Sequence, residues 1–176
     1  MLYVQQSLGP DEELVHVGRF HYMYTVQAFM TIFWGVVGSI AVIVASVFVY
    51  KKMGQFPDEL GWLEAVRYLH PGLRIFSFLV FVLGLMSFAQ MMVIKATTEI
   101  AITNTRIVYK RGMIARQVGE ISIDRIEGVN VLQSILGRML NYGRMAVRGM
   151  GIGEVILPPI EDPIAFRQAI ERARSI

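Results

Sequence analysis

The chain has 176 residues, a net charge of +3 and no cysteine. That length holds one water-soluble domain beside a membrane anchor but not two, and the missing cysteines exclude disulfides, thiol catalysis and Cys-ligated metals. Apolar residues make up 54%, more than an ordinary globular domain carries, and the excess sits in two runs without Asp, Glu, Lys or Arg.

Residues 1–19 form an N-terminal segment in which Leu8-Gly9-Pro10-Asp11 is a turn and Leu14, Val15 and Val17 are an apolar piece, extended or helical. Asp11, Glu12 and Glu13 stand where a secretory leader has its basic region, so the first apolar run is expected to be an uncleaved anchor. That run, Phe20–Tyr50, has 31 residues, and the second, Ile75–Ile94, has 20. About 20 helical residues cross a bilayer core of roughly 30 Å, so each run can span it. The expected transmembrane hairpin occupies residues 20–94, with spans over about 24–50 and 75–94 and an interfacial loop over 51–74. Tyr22, Tyr24 and Tyr50 suit the aromatic belts at the two interfaces.

Gly35, Gly38, Ser39, Ala45 and Ser46 fall at helical spacing on one side of the first span, and Gly84 and Ser87 offer matching room on the second. Small residues let helices approach closely where lipid supplies no hydrophobic drive. The stripe serves either the hairpin's own packing or a foreign helix. Neither span carries Asp, Glu, Lys, Arg or His. Ion pathways, proton relays and His-ligated haem need such groups at membrane depth, so no transporter or electron carrier is expected. In the loop, Pro57-Asp58-Glu59-Leu60 is expected to open a short helix that His70-Pro71-Gly72 ends. Leu60, Leu63, Val66 and Leu69 give it an apolar face, with Trp62 and Tyr68 at headgroup level, so it is expected to lie on the membrane surface.

After Lys95 the periodicity changes from helical to alternating. Residues 98–102 and 106–110 read as strands about a Thr103-Asn104-Thr105 turn; Met113 to Ile123 follows as a third strand bent at Gly119, and Arg125 to Val131 as a fourth. Residues 134–140 form a helical turn closed by Asn141-Tyr142-Gly143. Residues 145–148 and 155–157 form a last hairpin. Asp162 then caps a helix with Pro163 at its first position, running to about Arg174. Strands followed by one amphipathic helix read as a small antiparallel barrel or sandwich over residues 95–176, the helix covering its open end. The fold class is an α+β membrane protein.

The run from Thr98 through Gly112, with Thr103-Asn104-Thr105-Arg106 at its centre, resembles the opening of the bacterial pleckstrin-homology-like (PH) domains of the second type. The likeness continues through Glu120-Ile121, Ile126-Glu127-Gly128-Val129, Gln133 to Arg138, Asn141-Tyr142-Gly143 and Pro163 to Arg167. Leu8-Gly9-Pro10-Asp11-Glu12 with Arg19-Phe20-His21 is similar to the stretch before the spans in that family. The resemblance implies a bent antiparallel barrel capped by a helix, behind membrane spans and facing the cytoplasm from the inner membrane. It implies no particular activity, and the eukaryotic inositide-binding signature is not among its motifs.

No catalytic constellation emerges. His16, His21 and His70 lack metal-ligand spacing and read as interfacial polar residues, and Gly149-Met150-Gly151-Ile152-Gly153 reads as a hairpin tip rather than a phosphate loop. No enzyme, cofactor or metal is expected. Residues 95–176 hold twelve Lys/Arg against eight acids, a mild excess that suits an anionic lipid surface better than nucleic acid. The first strand climbs away from Lys95 and the second returns, which brings Lys110 and Arg111 toward the bilayer with Arg116 close behind. Lys95, Lys110, Arg111 and Arg116 are therefore the candidate lipid contacts. Arg138, Arg144 and Arg148 are not placed by this geometry. Charge bias near the span ends, five against four, does not decide the orientation. The expected function is a scaffold or accessory subunit of a membrane complex, partnered by lipids and by other integral membrane proteins or itself. The alternative is an anionic-lipid-binding or sensing domain.

Overall fold

The computed structural model describes residues 2–57, 59–112, 117–151 and 153–175. Two units emerge, one of residues 25–92 and one built from both sides of it, residues 1–24 and 93–176.

The first unit is the hairpin. Helix α2 (Tyr22–Lys52) and helix α4 (Pro71–Thr97) overrun the expected spans at both ends. Pro71 does not stop the loop helix; it opens α4, where its fixed φ and missing N–H are harmless. The two helices meet on glycine. A Cβ on Gly84 would stand 2.8 Å from the Gly35 Cα and 2.8 Å from the Thr31 carbonyl oxygen, so neither position admits a side chain without separating the backbones. One turn further along, the Ser39 and Ser77 hydroxyls lie 2.9 Å apart, and the Ser77 Oγ–H reaches the Ser39 carbonyl at 3.0 Å. Gly38 packs on Val80.

The stripe is thus used inside the hairpin, and its expected membership needs correction. Ser46 and Ser87 return their hydroxyls to their own helices, at Val42 and Leu83, while Ala45 and Ser87 are exposed. Ala28, Thr31 and Ser77 take their places at the contact. The loop helix α3 (Trp62–Tyr68) begins beyond Pro57 and packs Ala65 and the following Leu69 on Val47 of α2. Leu63, expected on its apolar face, points outward at 87% exposure because the packed arc centres on Ala65.

The second unit is a sandwich of two antiparallel sheets that do not close into a barrel. One sheet runs β1 (Leu14–Gly18), β2 (Glu99–Thr103), β3 (Arg106–Arg111) and β4 (Gln117–Ser122) in that order. The β3–β4 ladder passes unbroken through the expected bend at Gly119. Met113 to Arg116, expected to open the third strand, lie outside the described residues. A 3₁₀ turn (Ile123–Arg125) leads to the second sheet of β5 (Ile126–Leu132), β6 (Tyr142–Gly149) and β7 (Gly153–Ile156), with the short β8 (Ile160–Glu161) also on β6. Helix α5 (Ile135–Met139) links β5 to β6, and helix α6 (Pro163–Arg174) closes the sandwich. Phe166, Ala169, Ile170 and Ala173 of α6 enter a core with Ile100, Ile102, Ile107, Ile121, Met145, Val147 and Leu157. Alternation along each strand and 3.6-residue spacing along α6 aim these side chains inward.

The separate N-terminal segment expected over residues 1–19 is instead part of this unit. β1 pairs with β2, with Val17 opposite Ala101 and Gly18 opposite Ile100, and helix α1 (Leu2–Ser7) lays Val4 on Ala101 and Val108. The hairpin is an insertion between two neighbouring strands. Two carboxylates fix the join. Glu99 accepts from the backbone N–H groups of Tyr3 and Val4, each at 3.2 Å, in the first turn of α1. Glu12 is gripped harder. Arg106 donates to both its oxygens at 2.9 and 2.8 Å, and the Thr103 hydroxyl (2.7 Å), the Thr105 hydroxyl (3.1 Å) and the Gly9 N–H (2.9 Å) complete the shell. Arg106 also bridges to Glu120 and to the Ser7 carbonyl. Burial raises the Glu12 pKa, but the hydrogen bonds from Gly9, Thr103, Arg106 and Thr105 overcome it and hold the carboxyl at about 2.

A folded-state pKa of about 2 against 4.5 unfolded stabilises the soluble unit above pH 4.5, and that stability is lost as the pH falls toward 2. The lost term is on the order of 3 kcal/mol. Glu12→Gln should therefore melt lower than the parent at pH 7 and fall less between pH 5 and pH 2, read by circular-dichroism melts in detergent. In the hairpin, Gly84→Leu should cost about 1–3 kcal/mol by overpacking. In this cysteine-free chain a Ser39→Cys/Ser77→Cys pair should cross-link on mild oxidation, and adding Gly84→Leu should abolish the cross-link.

Candidate functional site

The soluble unit's cations fall into two groups. Arg106 is tied to Glu12 and Glu120, and Arg174 donates to the Ile126 carbonyl. Lys110, a candidate lipid contact, stands 3.5 Å from Glu99 and 5.2 Å from the centre of the Tyr3 ring. Its ammonium thus belongs to the seat of α1. Burial raises the Glu99 pKa, but the Val4 and Tyr3 N–H groups and then Lys110 outweigh it and leave a net depression. Glu99 is ionised at neutral pH and retains its partner. Of the other expected contacts, Lys95 sits in the last turn of α4, and Arg116 lies outside the described residues.

Arg111 has a different setting. It lines a hollow of about 210 Å³ with Arg144, which sequence reasoning left unplaced, and with Tyr24, Ile94, Tyr109, Ile156, Leu157, Pro158 and Pro159. No carboxylate lines it, and neither arginine has an ion-pair or hydrogen-bond partner among the described residues. β3 carries Arg111 at its last position, and Arg144 faces Leu132 across the β5–β6 ladder. Tyr24 is in the first turn of α2 and Ile94 near the end of α4. The hollow therefore opens where the chain passes into and out of the hairpin. Two unpaired guanidinium groups over an apolar floor suit a phosphate or carboxylate on an otherwise apolar molecule.

A larger hollow of about 490 Å³ lies beside β1 and the start of α6, lined by Leu14, Val15, His16, Val17, Arg19, Glu161, Asp162 and Ala165. Acids and bases are mixed there, so it offers no charge preference, and the smaller basic hollow has the clearer chemistry.

The histidines have structural roles. His21 accepts the Met23 N–H at 3.2 Å and stacks on Tyr142 with ring centres 4.9 Å apart. His70 accepts the Gly72 N–H at 3.1 Å. Each thus caps the first turn of an apolar helix, its Nδ1 accepting a backbone N–H that has no partner within the helix. His16 meets Phe166 edge to face at 5.7 Å, and burial, reinforced by Arg172, lowers its pKa. Among the described residues no group of three His, Asp or Glu side chains comes together to hold a metal.

The Bacterial PH domain family model matches residues 39–174. Two antiparallel sheets closed by a C-terminal helix agree with it, and the chain belongs to that family. The match opens inside α2, so β1, which completes the first sheet, lies outside it. Comparison with curated proteins and with solved structures gives no match.

Proposed function

We propose that this is a non-enzymatic, membrane-anchored PH-like protein of the bacterial inner membrane, its soluble unit on the cytoplasmic side, acting as a scaffold or accessory subunit of a membrane complex. One observation carries the reading. The strand before the hairpin and the strand after it are hydrogen-bonded neighbours, so the soluble unit is held by two short connections. Three residues separate β1 from α2, and one separates α4 from β2. Two connections this short suit a platform better than a mobile recruiter on a flexible linker.

Membrane anchoring is supported by the outward faces of α2 and α4. Only 11% and 6% of their most apolar windows are buried, whereas a core helix of a water-soluble protein would be covered. Phe29, Phe33, Trp34, Phe48, Phe76, Phe78 and Leu83 are all more than half exposed. Removing α2 as a cleaved leader would also remove β1, which the first sheet needs. With the glycine contact occupied, an intramembrane partner would meet this large-residue face instead.

A second reading, anionic-lipid binding, is favoured by the acid-free hollow of Arg111 and Arg144. Gentle solubilisation, sizing and mass spectrometry of the native protein should find it in a defined larger assembly; a bare monomer in all mild detergents would overturn the scaffold reading. Native mass spectrometry with added phosphatidylglycerol addresses the second. Arg111→Gln/Arg144→Gln should lose bound lipid while Arg148→Gln/Arg167→Gln, equal in charge, keeps it. Equal retention by both would remove the hollow as a lipid site.

A further inference from the structure

Helix α5 is built inside out. Its inward position is Gly137, which is buried because a Cβ there would stand 2.6 Å from the Tyr142 carbonyl oxygen. Ser134 caps the helix by accepting the Gly137 N–H at 3.1 Å, and Gln133 donates to the Tyr142 carbonyl at 3.1 Å. Gly143 is as tight, with Gln133 Cγ 2.6 Å from where its Cβ would be. These contacts clamp α5 to the start of β6 through its smallest side chains. The large apolar ones are left outside: Ile135 at 82% exposure, Met139 at 77%, Leu136 at 58% and the neighbouring Leu132 at 52%. A helix in water puts such residues inward, and a contiguous exposed cluster of this kind marks an interaction surface.

Its place in the unit names the occupant. Tyr142, three residues past α5, stacks on His21, the cap of α2. Arg144 lies directly opposite Leu132 and lines the hollow that includes Tyr24 and Ile94. The apolar edge therefore shares the end of the soluble unit at which the chain enters α2 and leaves α4. A chain that enters a bilayer at Tyr24 and leaves it at Ile94 brings this end to the lipid surface. The charge agrees: from Gly128 to Gly153 there are three arginines, Arg138, Arg144 and Arg148, and no acid. Apolar side chains beside unpaired arginines are the composition of an element that lies in an anionic lipid interface.

We infer that α5 is a third membrane contact, inserting Ile135, Leu136 and Met139 below the headgroups of an anionic bilayer, with Arg138 and Arg144 at phosphate level. The inference rests on the membrane-anchored reading, and its test separates the two. The full-length protein, free of cysteine, takes a single environment-sensitive fluorophore at Ile135→Cys or Met139→Cys. Phe33→Cys in α2 and Gln168→Cys on α6 serve as references. Each is reconstituted in phosphatidylcholine–phosphatidylglycerol vesicles and exposed to lipid-borne nitroxide or aqueous iodide.

Labels at 135 and 139 should be quenched by the nitroxide as the label at 33 is, and shielded from iodide; the label at 168 should show the reverse. Iodide access at 135 and 139 with nitroxide quenching at 33 would overturn the α5 contact and leave the anchor intact. Shielding from both quenchers would assign the edge to a protein partner or a second copy, which also overturns it. No nitroxide quenching at 33 would overturn the anchor itself, and the α5 contact with it.

Discussion

The join between the two stretches of chain that make the soluble unit rests on a partly buried ion pair between residues 94 positions apart, Glu12 and Arg106. Burying a carboxylate is costly, and the cost is met only when its oxygens are filled with donors in good geometry. Here they are: two guanidinium nitrogens, two threonine hydroxyls and one backbone N–H converge on the Glu12 carboxylate. The same site organises the β2–β3 turn. The Thr103 hydroxyl accepts the N–H groups of Thr105 and Arg106; the Asn104 N–H donates to the Glu13 carbonyl, its side-chain oxygen accepts the Glu13 N–H, and its side-chain NH₂ donates to the Asp11 carbonyl. Removing Arg106 leaves the nearly buried Glu12 carboxylate without its counter-charge, whereas removing Glu12 leaves Arg106 only the more exposed Glu120. The pair is therefore the condition under which a strand upstream of the hairpin joins a sheet downstream of it.

That join changes what the hairpin is. A helical hairpin fused to the front of a domain can be cut away and leave the domain whole. One inserted between adjacent strands cannot. A fragment starting at residue 95 lacks β1 and α1, exposes the outer edge of β2 and leaves Arg106 without Glu12. Within the hairpin, the determinants of contact are those expected where lipid rewards no apolar burial: backbones close enough to touch at Gly35 and Gly84, and hydroxyls that satisfy one another at Ser39 and Ser77.

Much of the fold was legible because its signals are local. Two charge-free runs, the change to alternating periodicity after Lys95, and the Asp162-Pro163 start of α6 each lie within one window of sequence; the Asp162 carboxylate does accept the Ala165 N–H. What escaped was non-local. β1 is five residues long, too short for its alternation to stand out, and its partner strand lies beyond the whole hairpin. Leu8 to Glu12 and Thr103 to Arg106 were visible as two motifs, but no spacing rule says that they interlock. Glu12, between Asp11 and Glu13, looks like one more surface acid. Lys110 looked available because Glu99 is visible as its partner only once the β2–β3 register is known. Arg144 was unplaceable for the same reason: its position in the hollow depends on the β5–β6 ladder and on where α2 begins.

The glycine-rich motifs around α5 carry the final step. Gly137 and Gly143 are required by close approach to Tyr142 and Gln133, which explains them without any ligand. It does not explain Ile135, Leu136 and Met139, since any soluble residue would serve on the far side of so small a helix. Packing supplies no reason for them either: a helix in water turns its large apolar side chains toward the core, and the five residues of α5 turn a glycine there instead. The inferred lipid contact is what gives Ile135, Leu136 and Met139 a use on the outward side.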